Sequence, residues 1–305
     1  EKVVPEGVRA LVANVDVQKD RFVVQVHGIS MGAPFDITII DRFEIRKSRR
    51  IDEDGDYCFL QPHAYLEDWD LIEDLVMNKR YPLADGSNRE MGVLMTTCDS
   101  GGYSRKKGES VTNMAYDFYR SLRKRGLSKR FHLVKGTGAP NAPRANVTYP
   151  DATKKDNLNA ARGDVPVLIL NSNFLKDVVS NRLDVTTPAS GLITFPDWLP
   201  ISFYQELCAE TRKPNGWEKV ATNDSNEAWD LLYYCVGVCV SKLLKVDLID
   251  WSKPPVSFEE WDKNPLIYSV VANDDETSDN VAMSDNVDTS IGKTLSWDEI
   301  NNLQG

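Results

Sequence analysis

The chain has 305 residues, a formal net charge of −10 and 41% hydrophobic residues. That length allows one large domain or two small ones, each with a substantial core. No apolar run approaches the ~20 residues that a membrane-spanning helix needs. The N-terminus lacks the basic-then-apolar layout of a signal peptide and resembles a linker cut from a longer protein.

The charge is unevenly distributed along the chain. From Leu266 to the end there are eight acidic residues and one base, whereas Tyr103 to Arg162 contains fourteen bases and four acids. The protein is therefore a nearly neutral body with a basic middle and an acidic tail. A basic stretch favours a nucleic-acid contact, but on charge alone a solvated face explains it equally well.

The five cysteines indicate a reducing compartment. Their number is odd and no CxxC pair occurs, which argues against a disulfide framework or a zinc site. Cys235 and Cys239 are one helical turn apart, the spacing of a metal pair. Because no further Cys or His lies near them in the sequence, packing is the favoured interpretation.

Hydrophobic periodicity and turn residues predict the secondary structure in chain order. We expect strands at 8–18, 21–29 and 35–45, a polar loop through 56, a helix at 66–78, a strand at 91–98, a helix at 112–124, a strand at 131–135, a mobile loop at 136–163, a strand at 166–170, helices at 173–181, 201–211 and 225–244 with a strand at 191–195 among them, and a weakly ordered segment beyond 267 that contains a short helix at 295–300. This order predicts an α/β fold with a mixed sheet flanked by helices. An RNase H-like fold has this order, and so do other α/β folds.

Three acidic residues stand out because their surroundings are apolar. Asp16 lies inside the first strand, Asp99 ends a central strand, and Asp230 lies in an apolar helix. A carboxylate at the edge of a core is costly unless it is paired or bound to a metal. If the helix packs across two neighbouring strands, the three carboxylates converge, and Mg²⁺ or Mn²⁺ would cancel their repulsion.

Each of the three carboxylates also has a simpler explanation. Asp16 could face solvent on a half-exposed hairpin, and Asp230 could pair with a base elsewhere in the chain. Asp99, which precedes Ser100-Gly101-Gly102, could be a turn or capping residue.

Four short motifs resemble, in order, those of the nuclease region of lambda-type (GpA family) bacteriophage terminase large subunits. They are Val15-Asp16-Val17-Gln18-Lys19-Asp20-Arg21, Thr97-Cys98-Asp99-Ser100-Gly101-Gly102, Val134-Lys135-Gly136 and Asn226-Glu227-Ala228-Trp229-Asp230. The chain departs from the family pattern at Trp229, where a smaller residue is expected. It also lacks a clear base just before Asn226, which weakens the case for a phosphate contact there.

The resemblance implies an RNase H-like endonuclease domain over residues 1–265, followed by an acidic tail over residues 266–305. It implies that Asp16, Asp99 and Asp230 are the metal-binding carboxylates. Asn226 and Glu227 lie one turn before Asp230 on the same helix face, where they could support it or supply a fourth metal ligand. The activity implied is cutting of concatemeric double-stranded viral DNA during genome packaging.

Two Mg²⁺ or Mn²⁺ ions ~3.5–4 Å apart would serve this activity by activating a water and stabilising the leaving 3′ oxygen. No histidine is required, and His27, His63 and His132 form no motif. We expect His132 to be structural or to contact phosphate rather than to act as a general base. Along the DNA we expect phosphate contacts from five bases: Arg105, Lys106, Lys107, Lys154 and Lys155.

No GxxxxGK[ST] phosphate loop occurs, so the ATPase of the packaging motor is expected on an upstream part absent from this chain. The expected partners are double-stranded DNA, the procapsid portal and, through the missing N-terminal part, the small terminase subunit. No membrane partner is expected, and the expected location is the cytoplasm of the infected bacterial host. The tail could dock on the portal, mimic DNA over the basic stretch, or only aid solubility.

Two other functions remain open on the sequence alone. One is a different RNase H-like nuclease, such as a Holliday-junction resolvase or an RNase H, which shares the carboxylate chemistry. The other is a non-catalytic module that docks DNA or the capsid and binds no divalent metal.

Overall fold

The structure is a computed structural model that describes residues 2–102, 104–106, 109–150 and 163–270. The strands, numbered in chain order, are β1 (Val8–Val17), β2 (Phe22–Gly32), β3 (Phe35–Ile45), β4 (Lys47–Ile51), β5 (Tyr57–Phe59), β6 (Arg80–Pro82), β7 (Arg89–Asp99), β8 (Ser104–Lys106), β9 (Glu109–Ser110), β10 (Phe131–Thr137), β11 (Ala145–Thr148), β12 (Val167–Asn171), β13 (Ile193–Thr194), β14 (Glu210–Lys213), β15 (Gly216–Lys219) and β16 (Ile267–Ser269). The helices are α1 (Asp70–Ile72), α2 (Val111–Lys124), α3 (Ser172–Leu183), α4 (Ile201–Leu207) and α5 (Glu227–Cys239). A 3₁₀ turn at Leu66–Trp69 precedes α1 and a π-helical turn at Glu73–Met77 follows it, and further 3₁₀ turns lie at Val246–Leu248 and Val256–Phe258.

A single mixed sheet forms the centre of the fold. Within the described ranges it has ten strands in the order β11-β12-β10-β7-β1-β2-β3-β13, and β6 and β16 pair with β7 beside this path. β1, β2 and β3 form an antiparallel meander, whereas β7, β10 and β12 run parallel to β1. The predicted mixed sheet flanked by helices is confirmed, and its arrangement is that of an RNase H-like fold.

Both faces of the sheet are covered, which explains why β1 is apolar on its two sides. Leu11, Ala13 and Val15 belong to the core shared with α2 and with residues 66–77. Ala10 and Val12 point the other way, into the core shared with α3, α4 and α5. Alternate residues of a strand point to opposite faces, so a strand between two helical layers needs apolar residues on both.

Helix α5 is almost entirely buried. Twelve of its thirteen residues are buried, and the remaining one is Asp230. The helix lies close to the sheet at Gly237, where a Cβ atom would stand 2.7 Å from Leu170 Cδ2. Cys235 and Cys239 are buried in this helix, in agreement with the packing interpretation of the cysteines.

Several predicted elements differ from the observed ones. The helix expected at 201–211 ends at Leu207, and residues 210–219 form the hairpin β14–β15 instead. The long loop expected at 136–163 contains strand β11, which pairs with β12. The polar loop expected before residue 56 contains strand β4, which pairs with β5. The last helix is shorter than expected and ends at Cys239.

The beginning of the expected tail contributes to the sheet. Ile267–Ser269 pairs antiparallel with the first residues of β7. Residues 271–305 lie outside the described part of the chain, and so do the predicted helix at 295–300 and most of the tail expected after residue 265. Among the described helices, none combines the length and apolar character needed to cross a membrane.

Candidate active site

The carboxyl ends of β1 and β7 place two of the three predicted carboxylates side by side. In the parallel register Asn14 pairs with Thr97 and Val15 pairs with Cys98, so Asp16 and Asp99 follow at neighbouring positions. Asn14 Nδ2 donates to Thr97 Oγ1 directly behind this edge at 2.5 Å, which fixes the two strands relative to one another.

Asp16 is buried at this edge, with 9% of its surface exposed. The alternative that it faces solvent on a half-exposed hairpin is therefore wrong. Gln18 Nε2 donates a hydrogen bond to Asp16 Oδ2 and fixes the orientation of the carboxylate. Burial, together with the charges of Asp99, Asp230 and Glu227, raises the pKa of Asp16 from 3.8 to about 7.

Asp99 combines a turn role with a position in the carboxylate cluster. Its Oδ1 accepts a hydrogen bond from the Gly101 backbone amide at 3.0 Å, as the turn interpretation expected. Burial raises its pKa, and the backbone amides, the Lys135 charge and a hydrogen bond from Tyr234 offset part of that effect. Lys135 is exposed at the end of β10, next to this carboxylate.

Asp230 reaches the site from the first turn of α5. Burial raises the pKa of its carboxyl, as do the charges of Glu210 and Asp99, whereas the neighbouring ammonium of Lys176 lowers it. The charges of Asp99 and Asp230 both act on Asp16, and that of Asp99 acts on Asp230, so the three carboxylates lie near enough to repel one another. The positive end of the helix dipole also favours a carboxylate in this turn.

The two residues predicted to support Asp230 lie in different surroundings. Asn226 Nδ2 donates to Asp230 Oδ2 at 3.0 Å and to Glu210 Oε1 at 2.6 Å, so Asn226 contacts the carboxylate directly. Glu227 is buried, and its charge acts on Asp16 and on Arg42 rather than through a contact with Asp230. Arg42 is paired at 2.7 Å with Glu206.

The start of α5 is held by the same ion pair. Glu206 Oε2 accepts the backbone amide of Ala228 at 2.7 Å, which satisfies one of the free amides at the helix N-terminus. Glu206 thereby links α4 and strand β3, through Arg42, to the turn that carries Asp230.

Two residues of the site were not predicted from the sequence. The Lys176 ammonium on α3 lies 2.8 Å from both carboxylate oxygens of Glu210 and 2.7 Å from Asp230 Oδ1. Asp230 Oδ1 is thus closely paired with a buried ammonium. The alternative that Asp230 pairs with a base is therefore correct.

The hairpin β14–β15 delivers Glu210 and is anchored to α3 by further hydrogen bonds beyond those of Lys176. Asn173 Oδ1 accepts from the Trp217 amide at 2.9 Å, while Asp177 Oδ1 accepts from Trp217 Nε1 and Arg212 Nε, each at 2.8 Å. Trp217 also packs against Trp229, with 5.1 Å between ring centroids. The large residue at 229, unexpected for the family pattern, thus supports this hairpin.

A glycine at the end of β10 avoids close contact with Tyr233. A Cβ atom on Gly136 would stand 2.7 Å from the hydroxyl oxygen of Tyr233. Tyr233 and Tyr234 are in contact, with 4.6 Å between ring centroids. This close approach gives a physical reason for the Val-Lys-Gly motif.

The predicted DNA-contacting bases are only partly described. Arg105 and Lys106 lie on β8, of which the backbone alone is described, and Lys107, Lys154 and Lys155 lie outside the described residues. His132 is half-buried on β10, and burial lowers its pKa to about 4, so it is neutral at physiological pH. Burial lowers the pKa of His27 to about 3, and its ring bonds Gln25 at 2.8 Å.

The donor set suits a divalent cation by its chemistry. Burial and the neighbouring carboxylates raise the pKa values of Asp16 and Asp230, and hard cations such as Mg²⁺ and Mn²⁺ prefer such oxygens. The side chains would have to close further around an ion, because no group of three His, Cys, Asp or Glu in the described residues has the spacing of a metal site. Asp16, Asp99 and Asp230 would be the residues that hold it.

The fold and site define an α/β domain with an acidic cluster at the carboxyl edge of an RNase H-like sheet. The family model described as the terminase large subunit gpA endonuclease domain matches residues 1–251. The chain belongs to that family, and is thus a nucleic-acid hydrolase of the phage packaging machinery. None of the curated proteins compared with the chain matches it.

Proposed function

We propose that this domain is a metal-dependent endonuclease that cuts concatemeric double-stranded viral DNA, with Asp16, Asp99 and Asp230 as its catalytic, metal-binding residues. The observation that supports this most strongly is the electrostatic coupling of the buried Asp16 on β1 with the half-buried Asp99 on β7 and Asp230 on α5. Two Mg²⁺ or Mn²⁺ ions, when bound, would supply the Lewis acidity for water attack on phosphorus and for departure of the 3′ oxygen.

The residues around the cluster would keep the three carboxylates in place. Gln18 fixes Asp16, the Gly101 amide fixes Asp99, and Asn226 fixes Asp230. Held carboxylates lose little freedom when they take up a ligand, which favours a site of defined geometry.

The DNA would lie across the exposed end of β10 and along the basic stretch between residues 103 and 162. Lys135 supports this path because it is exposed and close enough to Asp99 to lower the pKa of that carboxyl. Arg105, Lys106, Lys107, Lys154 and Lys155 would add phosphate contacts. Such contacts position the duplex without reading its sequence, and they make affinity depend steeply on salt.

The expected partners follow from the family and remain proposals for this chain. They are the procapsid portal, engaged through the segment after residue 265, and the small terminase subunit. The activity would take place in the cytoplasm of the infected bacterium.

The test is cleavage of supercoiled plasmid in Mg²⁺, Mn²⁺ or EDTA by the wild-type protein and by Asp16→Asn, Asp99→Asn and Asp230→Asn. Asp20→Asn, an exposed carboxylate in the turn after β1, is the matched control. We expect nicked and linear products with either metal, none in EDTA, and losses of at least about a hundredfold in the three variants but not in the control.

Other substrates separate the remaining functions. If the protein cuts four-way junctions best, its function is that of a resolvase. If it cuts RNA–DNA hybrids best, its function is that of an RNase H. If the protein binds DNA but neither binds metal nor cleaves DNA, it is a non-catalytic docking module.

A further inference from the structure

Lys176 occupies an unusual position for a lysine. Its side chain is 8% exposed, and its ammonium contacts the carboxylates of Glu210 and Asp230. The ammonium also lies 5.1 Å from the ring centroid of Tyr233. A buried ammonium is tolerated only where such partners replace its hydration shell.

Glu210 completes a closed network around this ammonium. Its side chain is 6% exposed and accepts Lys176 on both oxygens at 2.8 Å. Asn226 Nδ2 bonds the same two carboxylates, Glu210 at 2.6 Å and Asp230 at 3.0 Å. The four side chains therefore form a ring in which Lys176 and Asn226 each bridge both acids.

This network places a cation against one of the carboxylates proposed to bind metal. Asp230 Oδ1 contacts Lys176, and Asp230 Oδ2 contacts Asn226, so both oxygens already have neighbours. A divalent ion at Asp230 would face the ammonium at short range, where like charges repel strongly in a site of low effective dielectric. The ammonium can yield Asp230 without losing all its partners, because Glu210 offers two oxygens.

We propose that Lys176 is a tethered counter-cation that holds Asp230 in the metal-free protein and competes with a divalent cation for that carboxylate, and that Glu210 is the acid that retains Lys176 when metal binds. The inference rests on the proposed role of Asp230 as a metal ligand. Lys176 and Glu210 are positioning residues in this scheme. They stabilise the folded acidic cluster when metal is scarce, and they lower the affinity of Asp230 for metal. Stability and metal affinity are therefore thermodynamically linked.

The test compares Lys176→Met with Lys135→Met. Methionine keeps an unbranched side chain of similar length and removes the charge. Lys135 matches it as a lysine whose charge acts on the cluster while its side chain is exposed at the end of β10. The measurements are Mn²⁺ binding by titration calorimetry and the midpoint of thermal unfolding in EDTA and in saturating Mn²⁺.

We expect Lys176→Met to lower the unfolding midpoint in EDTA by several degrees and to regain most of that loss in Mn²⁺. We expect its Mn²⁺ affinity at the Asp230 site to rise about tenfold or more, and that of Lys135→Met to rise by less than about threefold. Equal destabilisation with and without Mn²⁺, combined with unchanged affinity, would show a merely structural lysine and overturn the inference.

A second variant keeps the inference testable if Lys176→Met does not fold. Glu210→Gln leaves the ammonium in place with Asp230 as its remaining carboxylate, so Mn²⁺ affinity should fall severalfold. An unchanged or higher affinity in Glu210→Gln contradicts the competition.

Wild-type behaviour separates this inference from the proposed function. If the wild-type protein binds Mn²⁺ and neither variant changes the affinity, the competition is overturned and the proposed metal site stands. If neither the wild type nor Lys176→Met binds Mn²⁺, the proposed metal site fails as well. If only Lys176→Met binds, the competition is supported in its strongest form.

Discussion

Replacement of Asp16 by asparagine should stabilise the metal-free protein at alkaline pH. The pKa of Asp16 is raised from 3.8 to about 7 by burial and by the neighbouring carboxylates. A shift of that size corresponds to about 4 kcal/mol of unfavourable free energy for the ionised group, taken as an upper value. Asparagine has nearly the same shape and no charge, so Asp16→Asn should recover part of it, about 2–4 kcal/mol at pH 8.

The pH dependence has a defined sign. Between pH 4 and 7 the folded state binds the Asp16 proton more tightly than the unfolded state does, so the free energy of unfolding falls as pH rises through this window. Below about pH 4 the group is protonated in both states, and above about pH 7 it is ionised in both. Asp16→Asn should make the slope shallower without abolishing it, because Asp99 and Asp230 keep raised pKa values.

The assay is urea unfolding in EDTA at pH 5 and pH 8, followed by circular dichroism, with Asp20→Asn as the matched control. Asp20 is 53% exposed at its side chain and pairs at the surface with Arg21, so the control should stay within about 0.5 kcal/mol of wild type. Loss of stability in Asp16→Asn at pH 8, or a pH slope equal to that of wild type, would refute the idea of a strained buried carboxylate.

Three other variants test separate parts of the structure. Gly136→Ala should destabilise the protein by about 1–3 kcal/mol in urea unfolding, because its Cβ would meet the Tyr233 hydroxyl at 2.7 Å. Gly138→Ala is the control: the nearest atom to its Cβ is at 3.8 Å, so its unfolding free energy should change little. Lys135→Ala should weaken DNA binding and reduce the slope of log affinity against log salt by about 1, as measured by fluorescence anisotropy, and an unchanged slope would remove Lys135 from the DNA path. Trp229→Ala should cost about 3–5 kcal/mol in urea unfolding through the cavity it leaves, and a loss below about 1 kcal/mol would show that Trp229 does not anchor the hairpin β14–β15.

The sequence predicted the carboxylate cluster because its members lie on elements with strong local signals. Asp16 interrupts a strand that is apolar on both sides, and Asp99 ends a strand before a Gly-Gly turn. Both strands are predicted from their apolar residues and the turn residues that follow them, which are local properties. Their adjacency follows from the parallel pairing of β1 with β7, which the sequence left as a condition.

The network behind Asp230 could not be predicted in the same way. Lys176 has the sequence setting of an ordinary helix lysine, and its burial arises only from the packing of α3 against α5 and the hairpin β14–β15. Glu210 was assigned to a helix because Ile201–Leu207 precedes it without an obvious break. The signal that was missed is Pro214-Asn215-Gly216, a turn sequence typical of a hairpin.

The central claim is that Asp16, Asp99 and Asp230 together hold the metal that cuts DNA. Its most direct test is an anomalous difference map from crystals of the protein soaked in Mn²⁺. The proposed site predicts manganese peaks in contact with Asp16, Asp99 and Asp230, two peaks ~4 Å apart when both ions are bound. Ordered carboxylates with no manganese peak beside them, or peaks confined to other parts of the surface, would contradict it.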